Sequence, residues 1–266
     1  MTTGSQTQNT ASPAYRVSRD QIIQALTRAT EPLDYVLAGY LGGSDATGRT
    51  DEYSDVDYQV IVEDDRVEDV FEVVLRELAA LSPASHQYRL PEPTWHGCSQ
   101  VFLSLADADP AHFIDFVAMK RSHTDRFLEE ERHGVAIVLF DKEGLVTVDP
   151  FDRETHLEKM RTRLSVLRET FPLFQTLVTR AVRRGFPAEA AAAYRSHTLH
   201  PLIELLRMKH CPDRYDFGPR YLDRDLPPEW RDAIDALALP TDLEEIETFR
   251  TKAEAHFAEV LRTLDA

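Results

Sequence analysis

The stretch from Tyr35 to Val62 places the strongest constraint on the fold of this chain. It reads YVLAGYLGG, then a polar linker, then SDVDYQVIV. The first run is apolar and ends in glycines, which is typical of a buried strand that enters a tight turn. The last run opens with two aspartates and continues as an apolar segment, which predicts the next buried strand.

The two aspartates, Asp55 and Asp57, stand two residues apart at the entrance of that strand. Side chains at positions i and i+2 of a strand point to the same face, so both carboxylates face one site. Carboxylates this close repel each other, and a divalent cation is the usual compensation. Asp115 is a third candidate, because burying an acid in the apolar segment HFIDFVAM is costly without a partner. We therefore expect a magnesium site of one or two ions.

The glycine turn between the strands is a candidate phosphate-binding element. Gly42 and Gly43 allow the backbone to approach a phosphate closely, and the hydroxyl of Ser44 is a potential donor. A helical turn that begins here would present free N–H groups to an anion. A glycine turn alone is weak evidence, since most such turns only connect two elements.

An alternative interpretation is that SDVD is a turn with solvated aspartates. An isolated Asp-x-Asp pair is common and would favour that interpretation. Here the pair follows an apolar strand, the glycine turn and a linker of ten residues, and a third acid follows 58 residues after Asp57. This ordered combination favours a catalytic site.

Hydrophobic periodicity predicts a mixed α/β region up to about residue 150. Apolar residues at helical spacing predict helices over 18–33 and 67–81. Apolar runs bounded by turns predict strands over 35–43, 57–62, 99–105, 112–119 and 135–144.

After Pro150 the pattern is helical. We expect helices over 154–170, 173–184, 188–210 and about 242–264, with a break at Pro172, a kink or break at Pro201 and a loop over 211–230. The predicted fold class is α+β, a mixed sheet flanked by helices followed by an all-α helical bundle. The predicted organisation is a flexible tail (1–16), a catalytic domain (17–150) and a helical domain (151–266).

Composition excludes several classes of protein. The chain has 266 residues, 42% of them hydrophobic, and no apolar run approaches the ~18 residues of a membrane span. The first residues are polar, without the features of a secretory signal, so we expect a cytoplasmic protein. The formal net charge is −16, which argues against a nucleic-acid partner. Residues 1–152 carry 27 acidic and 12 basic side chains, whereas residues 153–231 carry 10 and 15.

The segments GGSDATGRTDEYSDVDYQVIV and FIDFVAM together resemble the nucleotidyltransferase superfamily of DNA polymerase β and the bacterial antibiotic adenylyltransferases. The signature of that superfamily is an apolar residue, Gly, Gly or Ser, a linker, Asp-x-Asp and a later third acid. The resemblance in motif covers roughly residues 35–119. The helical half is similar in character, but less specifically, to the helical domains of aminoglycoside and lincosamide nucleotidyltransferases.

The resemblance implies that the glycine turn contacts nucleotide phosphates, that Asp55 and Asp57 bind magnesium, and that Asp115 is the third acid. It implies transfer of a nucleoside monophosphate, with ATP as the expected donor, to a hydroxyl of a small molecule such as an aminoglycoside. The alternatives are a protein or nucleotide acceptor, as in toxin–antitoxin or signalling systems, and a catalytically silent nucleotide-binding regulator. Asp115 is either a metal ligand or the general base, and the sequence leaves both roles open. The oligomeric state is not predicted.

The basic segment of the second half supplies candidate ligands for the triphosphate. Arg195, Arg207 and Lys209 flank Pro201, and each is otherwise expected to be a solvated helix residue. Lys209 is the preferred candidate because it interrupts a largely apolar run and a lysine is a common phosphate partner.

Overall fold

The computed structural model of the chain describes residues 15–264. They form two compact units, the first ending at Phe151 and the second beginning at Asp152. Most of the predicted tail lies outside the described residues, and the assignment of the units to functional domains stays a prediction. Within the described part of the chain, no helix is long and apolar enough to cross a membrane.

The first unit is built on a six-stranded mixed sheet. Its strands are β1 (Val36–Leu41), β2 (Val56–Val62), β3 (Ala84–Arg89), β4 (Ser99–Leu105), β5 (Ile114–Lys120) and β6 (Ile137–Asp141). They lie in the order β3-β4-β5-β2-β1-β6. Strands β2 and β5 are parallel, and the other neighbouring pairs are antiparallel. The mixed sheet agrees with the predicted α+β class.

Two long helices cover one face of this sheet. A capping box of Ser18 and Gln21 starts the first, and its apolar side joins that of the second in the main core beneath the strands. In that core Phe116 of β5 stacks on Tyr58 of β2 and meets the edge of Phe71. The alternate residues of β2, β4 and β5 therefore point to the opposite face. The helices of this unit are α1 (Arg19–Thr30), α2 (Gly43–Ala46), α3 (Val67–Leu81) and α4 (Glu130–His133).

The second unit is helical throughout, and its helices share one apolar core. Its helices are α5 (Arg153–Arg183), α6 (Pro187–Tyr194), a π-helical turn (Arg195–Leu199), α7 (His200–His210), a 3₁₀ turn (Pro212–Arg214), α8 (Leu222–Asp225), α9 (Pro228–Asp235) and α10 (Leu243–Leu264).

The structure differs from the sequence-based elements at several places. The predicted break at Pro172 is wrong, because α5 runs through it and buries apolar side chains such as Phe171 and Val178 on both sides. Burial of that face outweighs the lost backbone hydrogen bond. Strand β3 was not predicted, since its sequence ASHQYR is exposed and has no apolar alternation. Helix α8 lies inside the predicted loop 211–230 and α9 begins there, and the short helix α4 was not predicted. At Pro201 the expected irregularity is present, because α7 starts at His200 directly after the π-helical turn.

A buried cluster of charges closes the core of the second unit. The side chains of Arg207 and Asp225 are both 0% exposed and form an ion pair of 2.8 Å, Nη1 to Oδ2. Arg214 and Arg224 donate to the other oxygen of Asp225, each at 2.7 Å. Burial alone would raise the pKa of Asp225, but these three arginines lower it below its ordinary value. Arg207 is therefore a structural residue, and its prediction as a phosphate ligand is wrong.

Substitution Asp225→Ala is expected to reduce the free energy of unfolding by about 3–5 kcal/mol, because it leaves the Arg207 guanidinium buried without its carboxylate. Urea denaturation followed by circular dichroism measures this loss. The matched control is Asp232→Ala, which breaks the exposed pair with Arg231 and should cost less than about 1 kcal/mol. Equal losses in the two variants would contradict the structural role of the buried cluster.

Candidate active site

Three carboxylates gather on the face of the sheet that α1 and α3 leave uncovered. Asp57 of β2 lies directly opposite Asp115 of the parallel strand β5. Asp55 precedes Asp57 by two residues and stands at the same end of the strand pair. The sequence predicted that Asp55 and Asp57 face one site, and the parallel register adds Asp115 to it.

Burial raises the pKa values of these three acids, and repulsion from neighbouring carboxylates adds to it. Burial raises the pKa of Asp57 to about 7, and the charges of Asp55 and Asp115 add to the effect. Burial also raises the pKa of Asp115, to about 6, against a hydrogen bond from Gln100 that lowers it. Burial raises the pKa of Asp55 as well, in spite of the opposing charge of Arg19. The site therefore holds more negative charge than its surroundings compensate at neutral pH.

The glycine turn closely borders these acids. Gly43 has a φ of +54° and begins α2, and the N–H of Gly42 donates to the Asp57 carbonyl at 3.0 Å. A Cβ at Gly43 would overlap the Asp57 carboxylate, and one at Gly42 would clash with the Gln59 amide. Gly43 is thus required by the packing of the Asp57 carboxylate against the turn, and Gly42 leaves room for the Gln59 amide. The sequence did not reveal either contact. Contact of the two glycines with a phosphate stays a prediction.

Two polar atoms beside the turn are left without a partner. Ser44 Oγ and Gln59 Oε1 are buried, and neither has a hydrogen-bond partner among residues 15–264. Such atoms are uncommon in folded proteins unless a bound molecule satisfies them. Ser44 was predicted to donate to a phosphate, and its unpaired hydroxyl leaves it able to do so.

Arg19 is a residue of the site that sequence reasoning missed. From the first turn of α1 its Nε donates to the Asp55 carbonyl at 2.8 Å, and its two terminal nitrogens bind both carboxylate oxygens of Asp45. Both side chains of this ion pair are nearly buried. The pair ties α1 to α2 and to the entrance of β2. No spacing signal predicts it, because the partners are 26 residues apart.

The recess beside the turn is too small for a nucleotide. It encloses about 50 Å³ and is lined by ten residues, among them Gly42, Gly43, Gln59, Phe127 and His133. Phe127 reaches it from a backbone φ of 55°, a conformation uncommon for a residue other than glycine. The volume admits one or two water molecules.

Lys209 lies in the last turn of α7 in the second unit and is partly exposed. The glycine turn and the three acids belong to the first unit. The predicted contact of Lys209 with a triphosphate therefore stays a prediction.

The donor set at the three acids fits a hard divalent cation. Within residues 15–264, no group of three or more His, Cys, Asp or Glu side chains forms a ready metal cage. Magnesium does not require one, since it binds through one or two carboxylates and completes its shell with water and phosphate oxygens. Asp55 and Asp57, whose pKa values are raised by burial, supply carboxylates of this kind.

No protein-family model matches the chain, and no curated protein matches it. Among solved structures, the chain is similar to an aminoglycoside 6-adenyltransferase from Bacillus subtilis, with 10% identity and a TM-score of 0.35 over 92% of this chain and 89% of that one. It is also similar to a spectinomycin adenyltransferase from Enterococcus faecialis, solved with ATP and spectinomycin, with 11% identity and a TM-score of 0.36 over 93% and 99%. At these scores the likeness decides neither fold nor chemistry, so the functional assignment rests on the site itself.

The raised pKa of Asp57 predicts a specific pH dependence of stability. Its pKa rises from 3.8 to about 7 on folding, so the folded protein retains a proton that the unfolded chain loses, and stability falls as the pH increases through this range. Substitution Asp57→Asn removes the penalty. In EDTA at pH 8 we expect it to increase the free energy of unfolding by about 2 kcal/mol, and by much less at pH 4.5.

Chemical denaturation at the two pH values measures this difference. Asp65→Asn, at an exposed acid beyond the end of the same strand, is the matched control and should change stability little at either pH. A destabilised Asp57→Asn protein at pH 8 would contradict the electrostatic account of the site.

Proposed function

We propose that the protein is a magnesium-dependent nucleotidyltransferase. It moves a nucleoside monophosphate, AMP from ATP, to a hydroxyl of a small molecule and releases pyrophosphate. The observation that carries the proposal is the register of β2 and β5, which places Asp57 opposite Asp115 beside the glycine turn. Three partly buried acids with unsatisfied charge are an arrangement that a phosphoryl-transfer site needs and that a purely structural sheet face would avoid.

In the proposed reaction the acceptor hydroxyl attacks the α-phosphorus of the triphosphate. A new P–O bond forms, the bond to pyrophosphate breaks, and the hydroxyl proton passes to a base. Asp55 and Asp57 would hold magnesium, which when bound neutralises triphosphate charge and polarises the reacting phosphoryl group. Ser44, with its unpaired hydroxyl, would donate to a phosphate oxygen.

We assign the role of general base to Asp115. Burial raises its pKa to about 6, close to the working pH at which a base is most effective. Gln100 donates to Oδ1 of Asp115 at 2.6 Å, which leaves Oδ2 for the proton. The second role considered above, that of a metal ligand, uses the same free oxygen.

The proposed acceptor is a polycationic, hydroxyl-bearing small molecule of the aminoglycoside type. Charge supports this class, since residues 1–152 carry 27 acidic and 12 basic side chains. A strongly acidic surface attracts cationic ligands and repels nucleic acid. The choice of ATP follows from the sequence resemblance alone.

A pyrophosphate-release assay tests the proposal. Purified protein is incubated with magnesium, each of the four nucleoside triphosphates in turn, and a panel of aminoglycosides and lincosamides. Release that requires one triphosphate, one drug and Asp57 is the expected result. In Asp57→Asn we expect at least a 10³-fold lower kcat with an intact fold, because the substitution removes a carboxylate that would hold magnesium. Near-normal turnover in this variant would refute the proposed site.

Triphosphate binding, measured apart from pyrophosphate release, distinguishes the other acceptor classes. Magnesium-dependent triphosphate binding without release on any drug would point to a protein or nucleotide acceptor, and mass spectrometry of candidate acceptors would then detect the added nucleotide. Absence of both binding and release would refute the proposed function.

Lys209 is tested separately as a ligand of the triphosphate. Lys209→Ala should raise the KM for the nucleotide about 10-fold while changing kcat little, since one charge-assisted contact contributes about 1.5–3 kcal/mol. Lys252→Ala, at an exposed lysine of α10, is the control for the loss of a positive charge. An unchanged nucleotide KM in Lys209→Ala would remove Lys209 from the site.

A further inference from the structure

We infer that His96 and Gln100 are positioning residues that fix the orientation of the Asp115 carboxylate through a directed chain of hydrogen bonds. The inference rests on the proposed function for its kinetic consequence. Whether these hydrogen bonds exist can be tested without measuring turnover.

The hydrogen-bond chain starts at a backbone N–H, a group that can only donate. The N–H of Cys98 donates to Nδ1 of His96 at 3.2 Å. A backbone N–H is only a donor, so Nδ1 is the acceptor in this contact and carries no hydrogen. The proton of His96 is therefore on Nε2. The tautomer follows from the backbone contact.

The hydrogen-bond chain continues through the side-chain amide of Gln100. Nε2 of His96 lies 2.9 Å from Oε1 of Gln100 and, as the protonated nitrogen, donates to it. This contact fixes which end of the amide is oxygen. The Nε2 amide group of Gln100 must then face β5, where it donates to Oδ1 of Asp115 at 2.6 Å. Each bond in the chain determines the polarity of the next.

The ring of His96 is held from two sides. Trp95 and Phe127 both meet it edge to face, with ring centroids 4.9 Å and 6.4 Å away. Behind it, the hydroxyl of Thr94 donates to the Cys98 carbonyl at 2.6 Å and closes the loop that carries the histidine. The starting point of the chain is thus set by packing and by the backbone of its own loop.

The chain leaves one oxygen of Asp115 engaged and one free. A carboxylate without such a donor rotates about its last bond and presents either oxygen. With Gln100 on Oδ1, the free Oδ2 keeps one position relative to Asp57 on the neighbouring strand. Supporting partners of this kind typically account for a 10- to 100-fold effect when they are removed.

Kinetics of single and double variants test the role of the chain. Gln100→Leu should lower kcat about 10- to 100-fold with the nucleotide KM nearly unchanged. His96→Phe keeps an aromatic ring between Trp95 and Phe127 but removes both nitrogens, and it should lower kcat by a smaller factor. Because His96 acts through Gln100, the double variant should be no slower than Gln100→Leu alone, within about 2-fold.

Matched controls come from the exposed strand β3. Gln87→Leu and His86→Phe make the same chemical changes at exposed positions and should leave kcat unchanged. Multiplicative losses in the His96→Phe/Gln100→Leu variant would overturn the inference, because independent effects would show that His96 does not act through Gln100. A kcat unchanged in Gln100→Leu would overturn it as well.

A spectroscopic measurement tests the chain without turnover. In protein labelled with ¹⁵N-glutamine, the side-chain amide of Gln100 is assigned by its loss in Gln100→Leu. One of its two protons should resonate downfield and exchange slowly. Both features should be lost in Asp115→Ala, which removes the acceptor, and weakened in His96→Phe. If neither substitution changes the chemical shift or the exchange rate of this amide proton, the inference is overturned.

The two readouts separate failure of the chain from failure of the proposed function. If wild-type protein shows no turnover under any condition tested, the proposed function and the kinetic role fail together, and the amide spectrum alone decides the hydrogen-bond chain. A different outcome is an active wild-type protein whose Gln100 amide signal depends on Asp115, together with full kcat in Gln100→Leu. In that case the function stands and the positioning role is refuted.

Discussion

The parallel pairing of β2 and β5 is the constraint on which the rest of the site depends. Their register sets Asp57 against Asp115, with Asp55 at the same strand end. The other face of the same strands carries Tyr58 and Phe116, which stack in the core. A slip of one residue would exchange acids and aromatics between the two faces. Core packing on one face therefore enforces electrostatic repulsion on the other.

The surroundings accommodate this repulsion instead of removing it. Glycine at position 43 gives the Asp57 carboxylate space that any side chain would occupy. Arg19 is the nearby cation, but it is engaged by Asp45 and by the Asp55 carbonyl. The amide of Gln100 steadies one oxygen of Asp115 without neutralising its charge. The site is thus held in shape by neutral or already paired groups, and its own charge is left for a ligand.

In the second unit a buried acid is fully paired, in contrast to the three acids of the first unit. Asp225 is completely buried, yet three arginines satisfy its oxygens and lower its pKa. The contrast separates a structural cluster from a candidate active site in physical terms. In the structural cluster, charges are buried with their partners. In the candidate active site, acids are buried without enough partners. The same comparison explains why Arg207, which looked like a phosphate ligand in the sequence, is a core residue.

The sequence by itself determined the local chemistry of this protein. The glycine turn, the two acids on one strand face and most helices and strands follow from spacing and periodicity, because these depend on neighbours in the chain. Only the tertiary structure decided which distant residues complete the site. It was strand pairing that set Asp115 against Asp57 and brought Gln100 to Asp115, and burial against other helices that carried α5 through Pro172. Such contacts arise from packing between segments far apart in the chain, and a local pattern carries no record of them.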